Sequence, residues 1–333
     1  MGEDLGGLPG WCKRGAFDMT GYVRREHPEW SWSFSRQQTF QGCQRRYYYN
    51  YYGSHNGWEF DAAPEVALAY RLKKLSNLYI VLGDALHKSA QQMVERVVEG
   101  RALPGADVVE GEIRRQLRRV WKSSRDDGDL FLRRPNRVDM LREFYYQTGV
   151  SDAVLARINQ RIAEVSKALV ASDVWDELLR PETELVACEQ FDTFLIDQTP
   201  VYAVPDLLYK NADGAWTIVD WKTGDESEDN KDQVALYALY VHERHGVAPE
   251  RVTARLEYLS LNQQNEVRFA MEDLRAVGDR ARASMEKMQE LLADSSQNAP
   301  KAKEAFALTD SREQCPWCNF YELCREELEL SVS

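Results

Sequence analysis

The sequence predicts an α+β (mixed α/β) fold: a mainly helical half, then from about residue 181 a mixed sheet with helices. Three observations carry this. Before residue 180 the apolar residues recur at helical spacing. After Pro181 they alternate with period two, and Asn211-Ala212-Asp213-Gly214 reads as the hairpin turn between two alternating stretches. The chain has 333 residues, 44% of them apolar and 29% charged, which suffices for a sizeable core in one large domain or two ordinary ones.

Residues 1–30, rich in Gly, Trp and charge, have no period and read as a loosely ordered arm. Ser35 then looks like an N-cap with Gln38 at the third helical position. That helix runs to about Tyr52, where Gly53 ends it. Its tyrosines (47, 48, 49, 51 and 52) cannot all lie on one face, so part of it is sandwiched or touches a ligand. Leu72, Leu75, Tyr79 and Leu82, three and four apart, mark one face of a helix that Gly83 bends or breaks; Leu86 carries the stripe on to Val98. Further helices are predicted over 107–123 and 151–178. Strands follow at Glu184–Ile196, Val201–Tyr209 and Trp216–Trp221, then a helix at Asp232–His245. Strands at Val252–Leu261 and Glu266–Met271 and a helix at Asp273–Leu292 complete the pattern. This divides the chain into an arm and aromatic helix (1–52), a helical region (53–180), a sheet core (181–306) and a cysteine-bearing tail (307–333).

Charge and cysteine usage narrow the function. Lys plus Arg is 42 and Asp plus Glu is 54, a net −12, so the chain is no generic polyanion binder and any nucleic-acid contact needs a local basic face. Residues 111–142 offer one: ten basic residues, Arg118 and Lys122 among them, against five acidic ones. No apolar run is long enough for a membrane span, and the N-terminus lacks the basic and apolar segments of a secretory signal. Gly6 stands where a myristoylation signal wants Ser or Thr. A cytoplasmic protein with no membrane partner is expected, and its six cysteines then need a reason other than disulfides.

The strongest chemical signal is Pro205-Asp206 followed by Asp220-Trp221-Lys222. A tight hairpin brings Asp206 and Asp220 side by side, and two-residue spacing puts Asp220 and Lys222 on one face of the strand. Paired carboxylates suit a hard divalent cation, which lowers the pKa of bound water; an adjacent lysine can orient or deprotonate that water and stabilise a phosphodiester transition state. Taken alone, D-x-K is also what a solvated hairpin end looks like, but here it emerges from the apolar run Ile218-Val219. His87, in Gly83-Asp84-Ala85-Leu86-His87, can join the carboxylates as a ligand or be an ordinary helical histidine. Gln233 and Tyr237, four apart on the next helix, share a face and can reach a phosphate, or simply pack. Cys315-Pro316-Trp317-Cys318 with Cys324, and Cys43 far upstream, make four thiolates suited to zinc or an iron–sulfur cluster. Cys188, in a strand, reads as a small core hydrophobe, and Cys12 lies in the arm.

In combination these segments resemble the PD-(D/E)XK nuclease superfamily. They look most like its RecB-type branch with an iron–sulfur clasp, found in CRISPR-adaptation exonucleases and helicase-nuclease subunits. The segments that carry the resemblance are S-F-S-R-Q-Q-T-F-Q-G-C at 33–43, G-D-A-L-H at 83–87, V-P-D at 204–206, D-W-K-T-G at 220–224, Q-V-A-L-Y at 233–237 and C-P-W-C-N-F-Y-E-L-C at 315–324. Ala203 departs from the glycine often found three residues before the second-motif aspartate.

The resemblance implies a restriction-endonuclease-like core with a large helical insertion and a C-terminal clasp. His87, Asp206, Asp220 and the Trp221 carbonyl would bind Mg²⁺ or Mn²⁺, Lys222 would act on the water, and Gln233 and Tyr237 would assist at the substrate. Cys43, Cys315, Cys318 and Cys324 would hold a structural [4Fe–4S] cluster. The expected activity is a DNA nuclease, an exonuclease on single-stranded or end-containing DNA. It would serve phage defence, CRISPR adaptation or recombinational repair, with a helicase, integrase or other defence subunit as partner. The alternatives are a non-catalytic DNA-binding or scaffold subunit of the same fold, and a zinc-stapled interaction protein with an incidental D-x-K.

Overall fold

The computed structural model describes residues 23–330, and Cys12 lies outside them. A short strand, β1 (Trp32–Ser33), leads into α1 (Phe34–Gly42) and α2 (Gln44–Tyr48). Ser33, rather than Ser35, caps α1: its hydroxyl accepts the Arg36 N–H at 3.1 Å. The expected continuous helix is interrupted at Cys43, whose φ of −168° and ψ of 116° are extended; its sulfur then accepts the Arg46 N–H and opens α2. One turn of π-helix over Tyr49–Gly53 ends the segment.

α3 (Pro64–Lys73), β2 (Leu75–Ser76) and α4 (Leu78–Val98) follow, so the Leu72–Leu82 stripe spans two helices and a strand instead of one helix. Asn77 is the cause. Its side chain accepts the N–H groups of Tyr79 and Ile80, both at 3.0 Å, and starts a fresh helix. Gly83 does not break α4 but lies inside it. α5 (Ala106–Asp126), α6 (Gly128–Arg133), β3 (Met140–Leu141), α7 (Arg142–Tyr145), α8 (Asp152–Val170) and α9 (Val174–Leu178) complete the helical half. The helix expected over 151–178 is thus two, the second beginning where the Ser172 hydroxyl accepts the Val174 N–H.

The sheet half comprises β4 (Glu184–Cys188), β5 (Asp192–Ile196), β6 (Thr199–Ala203), β7 (Leu207–Lys210), β8 (Trp216–Lys222), α10 (Glu228–His245), β9 (Val252–Tyr258), β10 (Gln263–Arg268) and α11 (Met271–Gln289). β11 (Leu292–Asp294), β12 (Ala299–Pro300) and α12 (Tyr321–Leu330) close the chain. Five strands form the main sheet in the order β10-β9-β8-β7-β4, and β1-β6-β5 form a second. All pairs in the main sheet are antiparallel except β8–β9, which run parallel across the α10 connection. Two stretches expected as single strands therefore divide between the sheets. Pro205, with no N–H to give a ladder, separates β6 from β7. Glu189, at φ 49°, turns the chain between β4 and β5. The turn at 211–214 forms as expected: Asn211 N–H reaches Ala215 O at 2.8 Å, and Gly214 takes φ 78°.

Two cores cover the main sheet. Leu208, Ile218 and Ala254 pack under α10, α11 and the Tyr47 region; Leu207, Tyr209, Val219 and Trp221 pack under α4, α5, α8 and α9. A third cluster joins Tyr49, Leu72, Phe131, Met140, Phe320 and Cys324, drawing together both chain ends and the helical region. Among the described residues no helix is long and apolar enough to cross a membrane.

Candidate active site

β7 and β8 pair with Leu207 opposite Val219, which brings Asp206, just before β7, level with Asp220. The Trp221 N–H donates to Asp206 Oδ2 at 2.7 Å. Side chains alternate along β8. Val219 and Trp221 enter the helical-side core, so Asp220 and Lys222 share the opposite face with Ile218. Trp221 fixes this strand from behind: its indole stacks on Trp175 at 6.0 Å and its N–H donates to Glu257 at 2.9 Å.

Lys222 Nζ lies 2.8 Å from Asp220 Oδ2 and donates to Gln233 Oε1 at 2.7 Å. The Gln233 amide in turn donates to the Tyr237 hydroxyl at 2.8 Å. One helical turn on α10 thus aims the lysine at the aspartates. Burial, then the field of Asp220, raises the Tyr237 phenol well above the ordinary tyrosine range, so it stays neutral.

His87 reaches in from α4. Its Nδ1 is 2.8 Å from Glu189 Oε1 and 3.3 Å from Asp206 Oδ1. Glu189 is the site residue that sequence reasoning missed. No residue-type pattern marks it; it arrives through the left-handed turn between two sheets, where its N–H donates to the Asp206 carbonyl at 3.1 Å. Burial opposes an imidazolium, but Asp206 and Glu189 outweigh it and push His87 up to about 11. Burial and then Asp206 raise the Asp220 carboxyl, and burial leads in raising Glu189.

This donor set fits a hard divalent cation. One ligand atom from each of His87, Glu189 and Asp206 lies within 4.8 Å of the others. Asp220 is 1% exposed, and its Oδ2 lies 2.8 Å from the Lys222 ammonium. Neighbouring buried carboxylates disfavour one another's charge, and a cation among Asp206, Asp220 and Glu189 relieves that repulsion.

The cysteines gather at a second place. Cys43, Cys315, Cys318 and Cys324 line one cavity of about 330 Å³ beside Arg46 and Trp317. Burial raises the thiols of Cys315, Cys318 and Cys324, and the field of Cys43 adds to each. The chain ends also meet directly: Arg45 N–H donates to Ala307 O at 3.0 Å, and the Arg45 guanidinium pairs with Glu327. Cys188 is elsewhere, against the helical-side core. Of the aromatic segment, Tyr47, Tyr49 and Tyr52 are buried, packed on Phe306 and Phe320. That burial removes them as a surface for stacking bases.

The sequence profile of the PD-(D/E)XK nuclease superfamily matches residues 31–325. The chain belongs to this superfamily, whose members are metal-dependent, phosphodiester-cleaving nucleases. No curated protein sequence matches it.

Proposed function

We propose that this protein is a Mg²⁺- or Mn²⁺-dependent deoxyribonuclease whose four clustered cysteines hold a structural [4Fe–4S] cluster. The observation that carries the nuclease reading is the convergence of His87, Asp206, Asp220 and Lys222 on one buried corner of the sheet. His87, Glu189, Asp206, Asp220 and the Trp221 carbonyl would hold the cation. When bound, it lowers the pKa of a water and offsets phosphodiester charge. Lys222, held by Gln233, donates from Nζ to the attacking water and to the phosphoryl oxygen that gains charge. Tyr237 keeps Gln233 in the rotamer that presents its oxygen to Lys222. Four thiols are the donor set of a soft-metal site, and a structural role for the cluster fits because hydrolysis transfers no electrons.

The test is cleavage of end-labelled single-stranded and duplex DNA with Mg²⁺, Mn²⁺ or EDTA. Cleavage that requires the ion supports the reading, and equal cleavage in EDTA overturns it. A second prediction concerns the ligands. His87→Ala and Glu189→Gln each raise the Mn²⁺ concentration for half-maximal cleavage by about tenfold, since lost ligand or ligand-orienting contacts typically cost 10–100-fold in affinity. An unchanged titration for either variant removes that residue from the site.

A further inference from the structure

The outer face of α5 has a charge pattern that the active site does not use. Arg115, Arg118, Arg119, Lys122 and Arg125 repeat at three- and four-residue spacing and are all exposed. Val109, Ile113, Leu117, Val120 and Ser124 occupy the buried side. Like charges one turn apart weaken a helix by a few tenths of a kcal/mol per pair, so the stripe is kept against its own repulsion. Neutralisation is partial: Arg115 pairs with Glu112, Arg119 with Asp139 and Arg125 with Asp126. Among the described residues Arg118 and Lys122 have no ion-pair partner. Arg134 and Arg137, also exposed, extend the face past the acidic junction at Asp126, Asp127 and Asp129.

This face begins beside the site. The connection 99–105 folds α5 back along α4. The second half of α5 therefore runs beside the half of α4 that carries His87. Gly83, on the same half of α4, lies close to Thr223 beside Lys222, and Ser123 and Arg119 of α5 both hold Asp139, at 3.1 and 3.3 Å. Everywhere else the chain is acidic enough to outweigh this segment and leave the net charge at −12.

We infer that the outer face of α5, with Arg134 and Arg137, binds the phosphate backbone of the DNA strand leading away from the scissile bond. This inference rests on the nuclease reading for its choice of partner. The charge is of the complementary sign, and the spacing follows one line.

The experiment is fluorescence anisotropy of a 30-nucleotide single-stranded DNA, with no divalent ion, over a salt titration. The fourfold variant Arg118→Gln, Lys122→Gln, Arg134→Gln, Arg137→Gln is compared with wild type and with Arg268→Gln, Arg275→Gln, which removes two exposed cations elsewhere. At roughly 0.7 per single-strand phosphate contact, the slope of log affinity against log salt falls by about 3 in the fourfold variant. The control keeps the wild-type slope. If the fourfold variant loses structure by circular dichroism, Arg118→Gln, Lys122→Gln alone is measured, with about half the change expected. An unchanged slope, or an equal change in the control, overturns the inference, and tighter binding of the same RNA sequence overturns the choice of DNA. Wild-type binding with the expected slope but no metal-dependent cleavage leaves this surface standing and removes the nuclease reading.

Discussion

Asp220→Asn and Lys222→Ala each reduce hydrolysis by about 10²–10⁴-fold without unfolding the protein, the range typical for removal of a positioned catalytic group. The stability half of this result follows from the same geometry. Asp220 is buried beside Asp206, and burial with that neighbour raises its pKa. A carboxyl whose pKa is higher in the folded than in the unfolded chain costs stability at neutral pH, where the unfolded chain carries it ionised. Asparagine keeps the shape and removes the charge. The metal-free thermal midpoint of Asp220→Asn therefore equals or exceeds that of wild type while activity collapses. Melting curves in EDTA beside single-turnover kinetics check both halves. A variant that is inactive because it melts early would place Asp220 in the framework rather than in the chemistry.

On the proposed reading of the cysteine site, Cys43→Ala removes the cluster as a whole and lowers thermal stability. Cys43 is 272 positions from Cys315, so the four-thiol site does not exist in the unfolded chain, and its binding free energy adds to folding. Loss of one thiol leaves three on a short C-terminal segment and removes the one ligand from the N-terminal side, although Arg45 still pairs with Glu327. The expected protein is colourless, with iron and sulfide near zero after anaerobic purification. Its midpoint falls by several degrees, each kcal/mol being worth roughly 2–4 °C in a chain of 150–250 residues and somewhat less in a longer one. Cys188→Ala, against the helical-side core, keeps full iron and changes stability only as an ordinary core substitution does. Full iron in Cys43→Ala would exclude α2 from the site.

What the sequence discloses and what it hides follow from range. The hairpin at 211–214 is local, so the juxtaposition of Asp206 and Asp220 is readable from a turn and two alternating strands. The common face of Asp220 and Lys222 needs only the strand period, and that of Gln233 and Tyr237 only the helix period. The cysteine triplet stands out by density alone. Glu189 is hidden because its place depends on β4 and β5 belonging to different sheets, which no residue pattern around it reports. The same switch hides in Val201–Tyr209, where alternation continues across Pro205 although the partners change. Leu72 to Leu82 keeps a helical spacing across a strand because Leu75 serves a different core from Leu82. Tyr47, Tyr49 and Tyr52 look like a ligand surface until Phe306 and Phe320 arrive from the C-terminal segment to cover them.

The central claim is that Asp206 and Asp220, with His87 and Glu189, form a cation site on which hydrolysis depends. Electron paramagnetic resonance of free Mn²⁺, titrated against wild type and Asp220→Asn with DNA cleavage followed in the same samples, tests it most directly. Wild type is expected to deplete free Mn²⁺ with an affinity matching the activity titration, and Asp220→Asn to lose both together. Mn²⁺ uptake and cleavage retained in a folded Asp220→Asn protein would contradict it.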